Sequence, residues 1–272
     1  MSVKENILIT GANTGIGYEV VKALYNSSGS YDILVGSRKL ENAENAITEL
    51  QKESSKGESS LTPLVIDISS DDSIRKALEQ VSKSHGKIDA LINNAGGGFD
   101  GKAQSGEMTL REAFNASWDV NVSGTHVLTH EAIPLLLKSS NPRLLFVTSG
   151  TSALSETERF DYPPLARLNA SPEAGWPKPN TGNPVISYRS SKTGLNMLMR
   201  EWAKTLKNDG VKVWAISPGF LATGLGGVGV EQLKKMGARD PSEGGQFIKD
   251  VIEGKRDEDQ GKVIRATMVQ PW

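Results

Sequence analysis

The chain predicts a doubly wound α/β domain: a seven-stranded parallel sheet with helices on both faces. Three observations carry this. Short, nearly continuous apolar runs recur along the 272 residues, amphipathic segments of helical period lie between them, and the two alternate regularly. Strands covered on both faces need such unbroken apolar runs, and a helical crossover returns the chain to the same sheet edge.

The expected strands are Asn6–Thr10, Ile33–Gly36, Thr62–Asp67, Ala90–Asn93, Arg143–Ser149 and Val211–Ser217, with Lys262–Thr267 as the seventh. The expected helices are Ile16–Tyr25, Leu40–Lys52, Ser70–Ser84, Met108–Lys138 and Ser187–Asn208. No linker and no solenoid-length repeat divides the chain, so residues 1–272 read as one domain. Two stretches break the rhythm. Residues 152–186 hold six prolines and two glycines and read as a long loop or short helices joined by turns. Residues 219–245 are glycine-rich and read as a mobile segment.

Composition narrows the function. A net charge of −1, with Lys and Arg scattered, gives no basic stripe for nucleic acid. The absence of cysteine removes disulfides, a thiol nucleophile and thiolate metal sites. No apolar run reaches membrane-spanning length, and the first residues enter a strand rather than a leader, so the expected location is the cytoplasm.

At the first strand-to-helix junction stands TGANTGIG, Thr10–Gly17. Gly11, Gly15 and Gly17 permit a tight turn, a close backbone approach to a pyrophosphate and close helix–strand packing. The residues between them, Asn13, Thr14 and Ile16, bring the helix N-terminus, with its free N–H groups, to the phosphates. A three-glycine turn alone is weak evidence; its place in an alternating α/β chain makes it a dinucleotide cradle.

Further motifs follow in order: NNAG at Asn93–Gly96, Asn121 in DVNVSG, Ser149 in VTSG, Tyr188 and Lys192 in YRSSK, and Pro218–Gly219 with Thr223 just beyond. With the G-x-x-x-G-x-G turn, this set resembles the short-chain dehydrogenase/reductase family over essentially the whole chain, in particular its carbonyl-reductase-like and fungal members. The resemblance implies a Rossmann-type fold and reversible reduction of a ketone or aldehyde to an alcohol. It also implies catalytic roles for Asn121, Ser149, Tyr188 and Lys192. Cofactor contacts are implied for Asn93, Ala95, Gly96, Tyr188, Lys192, Pro218, Gly219, Leu221 and Thr223.

A Tyr and a Lys four apart on a helix share one face, and in isolation such a pair is mostly solvated surface. The chemistry gives this pair a reason. A carbonyl that accepts hydride must also receive a proton, and an ordinary phenol near pKa 10 exchanges protons poorly at neutrality. A lysine ammonium one turn away is expected to favour the phenolate. In the family that lysine also binds the nicotinamide ribose, Ser149 donates to the substrate oxygen, and Asn121 holds a water linking Lys192 to solvent.

The second strand ends in VGSRKL, with no acid at Gly36 or Ser37 and with Arg38 and Lys39 following. An acid there would bind the adenosine ribose diol, whereas a 2′-phosphate wants cationic donors, so Ser37, Arg38 and Lys39 point to NADP(H). Asp67 and Ile68 match the family's adenine contact. Between Ser149 and Tyr188 lie 38 residues, longer than the family commonly has. As in carbonyl-reductase-like members, this insertion can cover the helix surface used for dimerisation, which leaves both a homo-oligomer and a monomer open. Phe99, Thr151, Trp176, Phe220 and Leu221 are positioned to face a small apolar carbonyl or alcohol substrate.

Other features read as structure. His126 and His130, at i and i+4, lack a third metal ligand and read as packing or surface residues, so no metal is expected. His85 fits a helix C-terminus. Leu195, Leu198, Met199, Trp202 and Leu206 form a core face. Two other functions remain open: an NADP(H)-binding sensor without turnover, which would ordinarily lack the tyrosine or lysine, and a scaffold with an added cyclase-type activity.

Overall fold

Alternate side chains of single strands set up two apolar layers. In β1 (Glu5–Ile9), Ile7 and Ile9 face one core and Leu8 the other, because successive strand residues point to opposite faces. β2 (Tyr31–Ser37) repeats the division with Ile33 and Val35 against Leu34. The sheet is completed by β3 (Ser60–Val65), β4 (Ala90–Asn93), β5 (Arg143–Val147), β6 (Lys212–Ile216) and β7 (Val263–Ile264). All seven strands are parallel, in the order β3-β2-β1-β4-β5-β6-β7. The order reverses between β1 and β4, which opens a crevice at their carboxyl ends. The computed structural model describes residues 4–54, 57–178, 185–227 and 229–272.

Helices fill the connections. α1 (Gly15–Tyr25), α2 (Leu40–Glu53) and α3 (Asp71–Ser84) follow the first three strands. α4 (Asp100–Gln104), α5 (Leu110–Trp118) and α6 (Gly124–Leu136) join β4 to β5. α7 (Pro163–Asn169) and α8 (Ile186–Thr205) join β5 to β6, and α9 (Val230–Lys235) and α10 (Pro241–Ile252) lead to β7. Val20, Leu24, Leu50, Phe247 and Val251 of α1, α2 and α10 pack with Ile7 and Ile33. Ile74, Leu128, Leu195, Met199 and Trp202 of α3, α6 and α8 pack with Leu8 and Leu34. Trp214 of β6 is fully buried, donates to the Arg256 carbonyl at 3.0 Å and lies under the Arg143 guanidinium. Truncating such a side chain to alanine costs about 3–5 kcal/mol.

Local signals start several helices. Ser70 caps α3 by accepting from the Ser73 amide, with Asp71 and Asp72 in the first turn. Asp240 caps α10, and Pro241 occupies its first position. His85 caps the C-terminus of α3 and lies 3.2 Å from Asp32. His126 and His130 both stack against Trp202.

Two expectations change. The long helix over Met108–Lys138 starts at Leu110, because Thr109 and Glu112 form a reciprocal capping box there. It is then interrupted by a π turn at Asp119–Ser123. The seventh strand is only two residues long. After it the chain folds back, pairing Ile264 with Val269. Within 219–245 the described residues include a bridge between Leu221 and Arg239, α9 and a small Ala222–Leu233–Ala238 cluster.

The insertion is built around one buried carboxylate. Glu156, 2% exposed, pairs with Arg265 from the C-terminal segment and with Arg159, the latter at 3.0 Å. Asn169 of α7 donates to the carbonyls of Glu156 and Arg159. Residues 179–184 of the insertion and 228 of the later loop lie outside the described residues. Leu110, Phe114 and Trp118 of α5, spaced at i, i+4 and i+8, are all exposed among the described residues. Among the described residues no helix is long and apolar enough to cross a membrane.

Candidate active site

The glycine turn and the end of β4 are stitched together first. Gly11 and Gly15 adopt φ of +61° and +56°, a region costly for side-chain-bearing residues. A Cβ on Gly17 would strike the Gly11 carbonyl and come 2.5 Å from the Asn94 amide nitrogen. Asn94 donates to the carbonyls of Thr10 (2.8 Å) and Gly11 (3.1 Å), while the Thr10 hydroxyl accepts from the amides of Asn94 and Ala95. Ala12 is tied to the Gly36 carbonyl of β2. Asn13 and Thr14 complete the turn, with Thr14 at the N-cap of α1 without a side-chain cap bond. Thr223 lies over Gly15, 3.7 Å from where a Cβ would stand.

Around this cradle the other cofactor candidates divide. Arg38 and Lys39 are exposed directly after buried Ser37 and, among the described residues, make no ion pair. Asp67 accepts from the Ser69 amide at 3.0 Å. The Ile68 side chain is buried in the core, and its carbonyl lies against Gly124 of α6. Asn93 is likewise turned inward, donating to Thr129 at 3.1 Å; the amide that faces the glycine turn is that of Asn94. Leu221 is buried, its Cδ1 and Pro218 against Gly244 of α10, with Ile16 beside them. Gly219 has φ of +106°, and a Cβ there would meet Arg239.

The four catalytic candidates come from β5, the π turn and α8. Asn121, fully buried, donates to the Gly97 carbonyl (2.7 Å) and to Ser191 (3.0 Å) and accepts from the Gly97 amide. A Cβ on Gly96 would stand 2.7 Å from Asn121 Oδ1 and 3.1 Å from Lys192 Nζ, so the glycine keeps open the space before both. Lys192 donates to the Val147 carbonyl at 2.8 Å. Ser149 lies two residues beyond β5, and its hydroxyl faces the Tyr188 phenol; Thr151 is committed to Ser149 through both its hydroxyl (3.0 Å) and its amide (3.2 Å).

The electrostatics differ from the expectation of a phenol made acidic by its lysine. Burial pushes the Tyr188 phenol up, and the Ser149 hydroxyl pulls it partly back. Burial also pushes the Lys192 ammonium down to about 8. Nζ sits 5.9 Å from the phenol ring centre and is turned to Val147, so desolvation outweighs attraction between the two groups.

Of the substrate candidates, Phe99 folds back over Gly97 and Phe220 is half-exposed beside the crevice. The Trp176 side chain, in the insertion, is 87% exposed. Among the described residues no group of three metal-ligating side chains converges.

The sequence model described as "short chain dehydrogenase" matches residues 5–163 and 178–233. The chain belongs to the short-chain dehydrogenase family. It is 49% identical to the short-chain dehydrogenase/reductase eupG of Phoma sp, over 97% of this chain and 96% of that protein. It is 38% identical to tropE of Talaromyces stipitatus, over 100% and 99%. Its fold is similar to that of the NADPH-bound carbonyl reductase from chicken fatty liver, with a TM-score of 0.76 at 20% identity, covering 99% of this chain and 100% of that one. As a short-chain dehydrogenase the protein is an oxidoreductase whose fold binds a nicotinamide cofactor.

Several site residues of this short-chain dehydrogenase carried no separate sequence signal. Asn94 hides inside the NNAG motif. Asp100, whose carboxylate accepts from the amides of Ser187 and Tyr188, is a lone acid after a glycine run. Gln270, 1% exposed, donates to the Ser149 carbonyl at 3.2 Å from 121 positions away. Thr148 and Asn196 join β5 to α8 at 2.7 Å.

Proposed function

We propose that this short-chain dehydrogenase reduces a small apolar ketone or aldehyde to an alcohol with NADPH, reversibly, with Tyr188 as general acid in reduction and general base in oxidation. The observation that supports this most directly is the Ser149 hydroxyl set against the Tyr188 phenol, with Lys192 and Asn121 behind Gly96. Ser149 offers a hydrogen bond to the carbonyl oxygen, and Tyr188 holds the proton that this oxygen receives. A phenol kept protonated by burial suits a donor in reduction. Lys192, with its value near neutrality, can take up or release the proton that restores it.

The cradle fits a dinucleotide: Gly11, Gly15 and Gly17 clear the space that a pyrophosphate needs, and Arg38 and Lys39 stand free for a 2′-phosphate. When bound, NADPH supplies the hydride. Solved structures of similar fold include both an NADPH complex and an NADH complex. The preference therefore rests on Arg38 and Lys39 of this chain. The open apolar face of α5 favours a homo-oligomer; a mass of one 29.2 kDa chain by light scattering would remove that part of the reading.

The test is NADPH consumption against aromatic ketones, aldehydes, diketones and quinones, with Tyr188→Phe beside wild type. Turnover in wild type that vanishes in Tyr188→Phe is expected. Undiminished turnover in the variant would remove Tyr188 as proton donor, and tight NADPH binding without any turnover would favour a sensor.

A further inference from the structure

The N-terminus of α8 has no cap of its own. Val185 precedes the first turn and has no polar side chain, yet the first-turn amides of a helix have no intrahelical acceptors. The missing acceptor comes from a distant part of the chain. Asp100, the first residue of α4, places Oδ1 2.8 Å from the Ser187 amide and Oδ2 3.0 Å from the Tyr188 amide. Oδ2 also accepts from the Ser187 hydroxyl at 2.7 Å. That hydroxyl lies 2.8 Å from the hydroxyl of Ser117 in α5, with both serines buried. One carboxylate thereby joins α4, α5 and α8 at the residue that carries the phenol.

The segment leading to Asp100 is in contact with the phenol ring itself. A Cβ on Gly98 would lie 3.3 Å from Tyr188 Cδ2, so the glycine run passes flat over the ring before Asp100 reaches the backbone. The ring is covered from above and its Cα is held from the same strand of chain. Hydrogen bonds from amides to a carboxylate at a helix N-terminus are both charge-assisted and favoured by the helix dipole.

We propose that Asp100 is a positioning residue for Tyr188, capping α8 from outside its own sequence and fixing where the phenol stands relative to Ser149. The inference rests on the reading of Tyr188 as proton donor. Without the carboxylate two first-turn amides lose their acceptor, the first turn of α8 loosens, and the phenol drifts from the hydroxyl it faces.

The test uses the full chain as wild type, Asp100→Ala, Asp100→Asn and Tyr188→Phe. Steady-state kinetics would be run with NADPH and benzaldehyde, acetophenone, benzil or menadione, whichever wild type turns over. The amide of Tyr188 would be followed by hydrogen exchange in every variant. Asp100→Ala is expected to lower kcat between about tenfold and a hundredfold, as displacement of a reacting group by an ångström does, with NADPH affinity held within about twofold. Asp100→Asn, which keeps one acceptor oxygen, is expected to recover part of the loss. Faster exchange at Tyr188 should accompany both. A lower melting temperature with kcat unchanged would make Asp100 a structural cap only and overturn the proposal. So would unchanged exchange at Tyr188, which can be read even if none of the four compounds is a substrate. Tyr188→Phe at full activity would instead overturn the proton-donor reading, whatever the Asp100 variants do.

Discussion

Lys192 Nζ donates to the carbonyl of Val147 at 2.8 Å, so the last residue of β5 holds a buried ammonium beside Tyr188. The contact replaces part of the hydration that the ammonium loses. Burial still disfavours the charged form and pushes the ammonium down from its ordinary 10.5 to about 8.

Stability is therefore expected to rise with pH from about 8 towards 10. Below 8 the lysine is charged in both folded and unfolded chains, and the full cost of its burial is present. Between 8 and 10.5 the unfolded chain holds more protons than the folded one, so alkali favours folding. The 2.5-unit gap corresponds to about 3 kcal/mol. Lys192→Met is expected to be more stable than wild type at pH 7 and to lose this slope. Urea unfolding at several pH values measures both, and an unchanged slope in the variant would contradict the assignment.

Arg38 and Lys39 directly follow β2 as exposed cations, with no acid at Gly36 or Ser37. Replacing both by alanine is expected to weaken NADPH binding by about tenfold, or 1.4 kcal/mol, and to leave NADH nearly unchanged. Calorimetric titration of the two cofactors gives the ratio. Equal dissociation constants in wild type would refute the NADP(H) assignment before any variant is made.

A Cβ on Gly96 has no room in front of Asn121 Oδ1 and Lys192 Nζ. Gly96→Ala is expected to displace the lysine and lower kcat by at least about tenfold, while the fold, anchored elsewhere, melts within a few degrees of wild type. Matched circular dichroism melts and turnover measurements separate the two effects. Full activity would mean that the ammonium can move without consequence.

Glu156 is enclosed by Arg265 and Arg159. Removing its charge alone leaves Arg265 without its carboxylate partner, although the guanidinium is partly exposed and keeps Gln270 and the Gly150 carbonyl, and Glu156→Leu is expected to cost about 2–3 kcal/mol. Adding Arg265→Met to the same chain should return much of that. Urea denaturation of the two single variants and the double variant closes the cycle, and strict additivity would show that the pair does not interact.

The sequence made the sheet and the outline of the site legible because both depend on local pattern. The apolar run Ala90–Asn93 has the same bounds in the structure, and Tyr188 and Lys192 lie on one helix as their spacing requires. What stayed hidden depends on contacts between distant positions. Asp100 caps a helix 87 positions away, and Gln270 reaches Ser149 across 121; neither leaves a local signature. Asn93 and Asn94 are chemically identical in the motif, and only strand alternation decides that Asn93 turns to Thr129 and Asn94 to the glycine turn. Trp176 reads as an apolar residue before α8, and nothing local says that its side chain is exposed. The direction of the Tyr188 shift was also beyond spacing, since desolvation depends on everything packed around the phenol.

The π turn at Asp119–Ser123 sets a phase between two helices that would otherwise be one. A wide turn is poorer in hydrogen-bond geometry than the α-helix on either side, so losing one residue there would let α5 and α6 merge into a regular rod. The same loss would rotate everything upstream by about 100° about the axis, since each α-helical residue advances by that angle. The capping box at Thr109, the apolar stripe through Phe114 and the loop over Tyr188 would all be carried round relative to α8. Helical regularity and the address of Asn121 are mutually exclusive in this chain. A single-residue deletion in DVNVS would therefore be far more damaging to function than any single substitution on the outer face of α5.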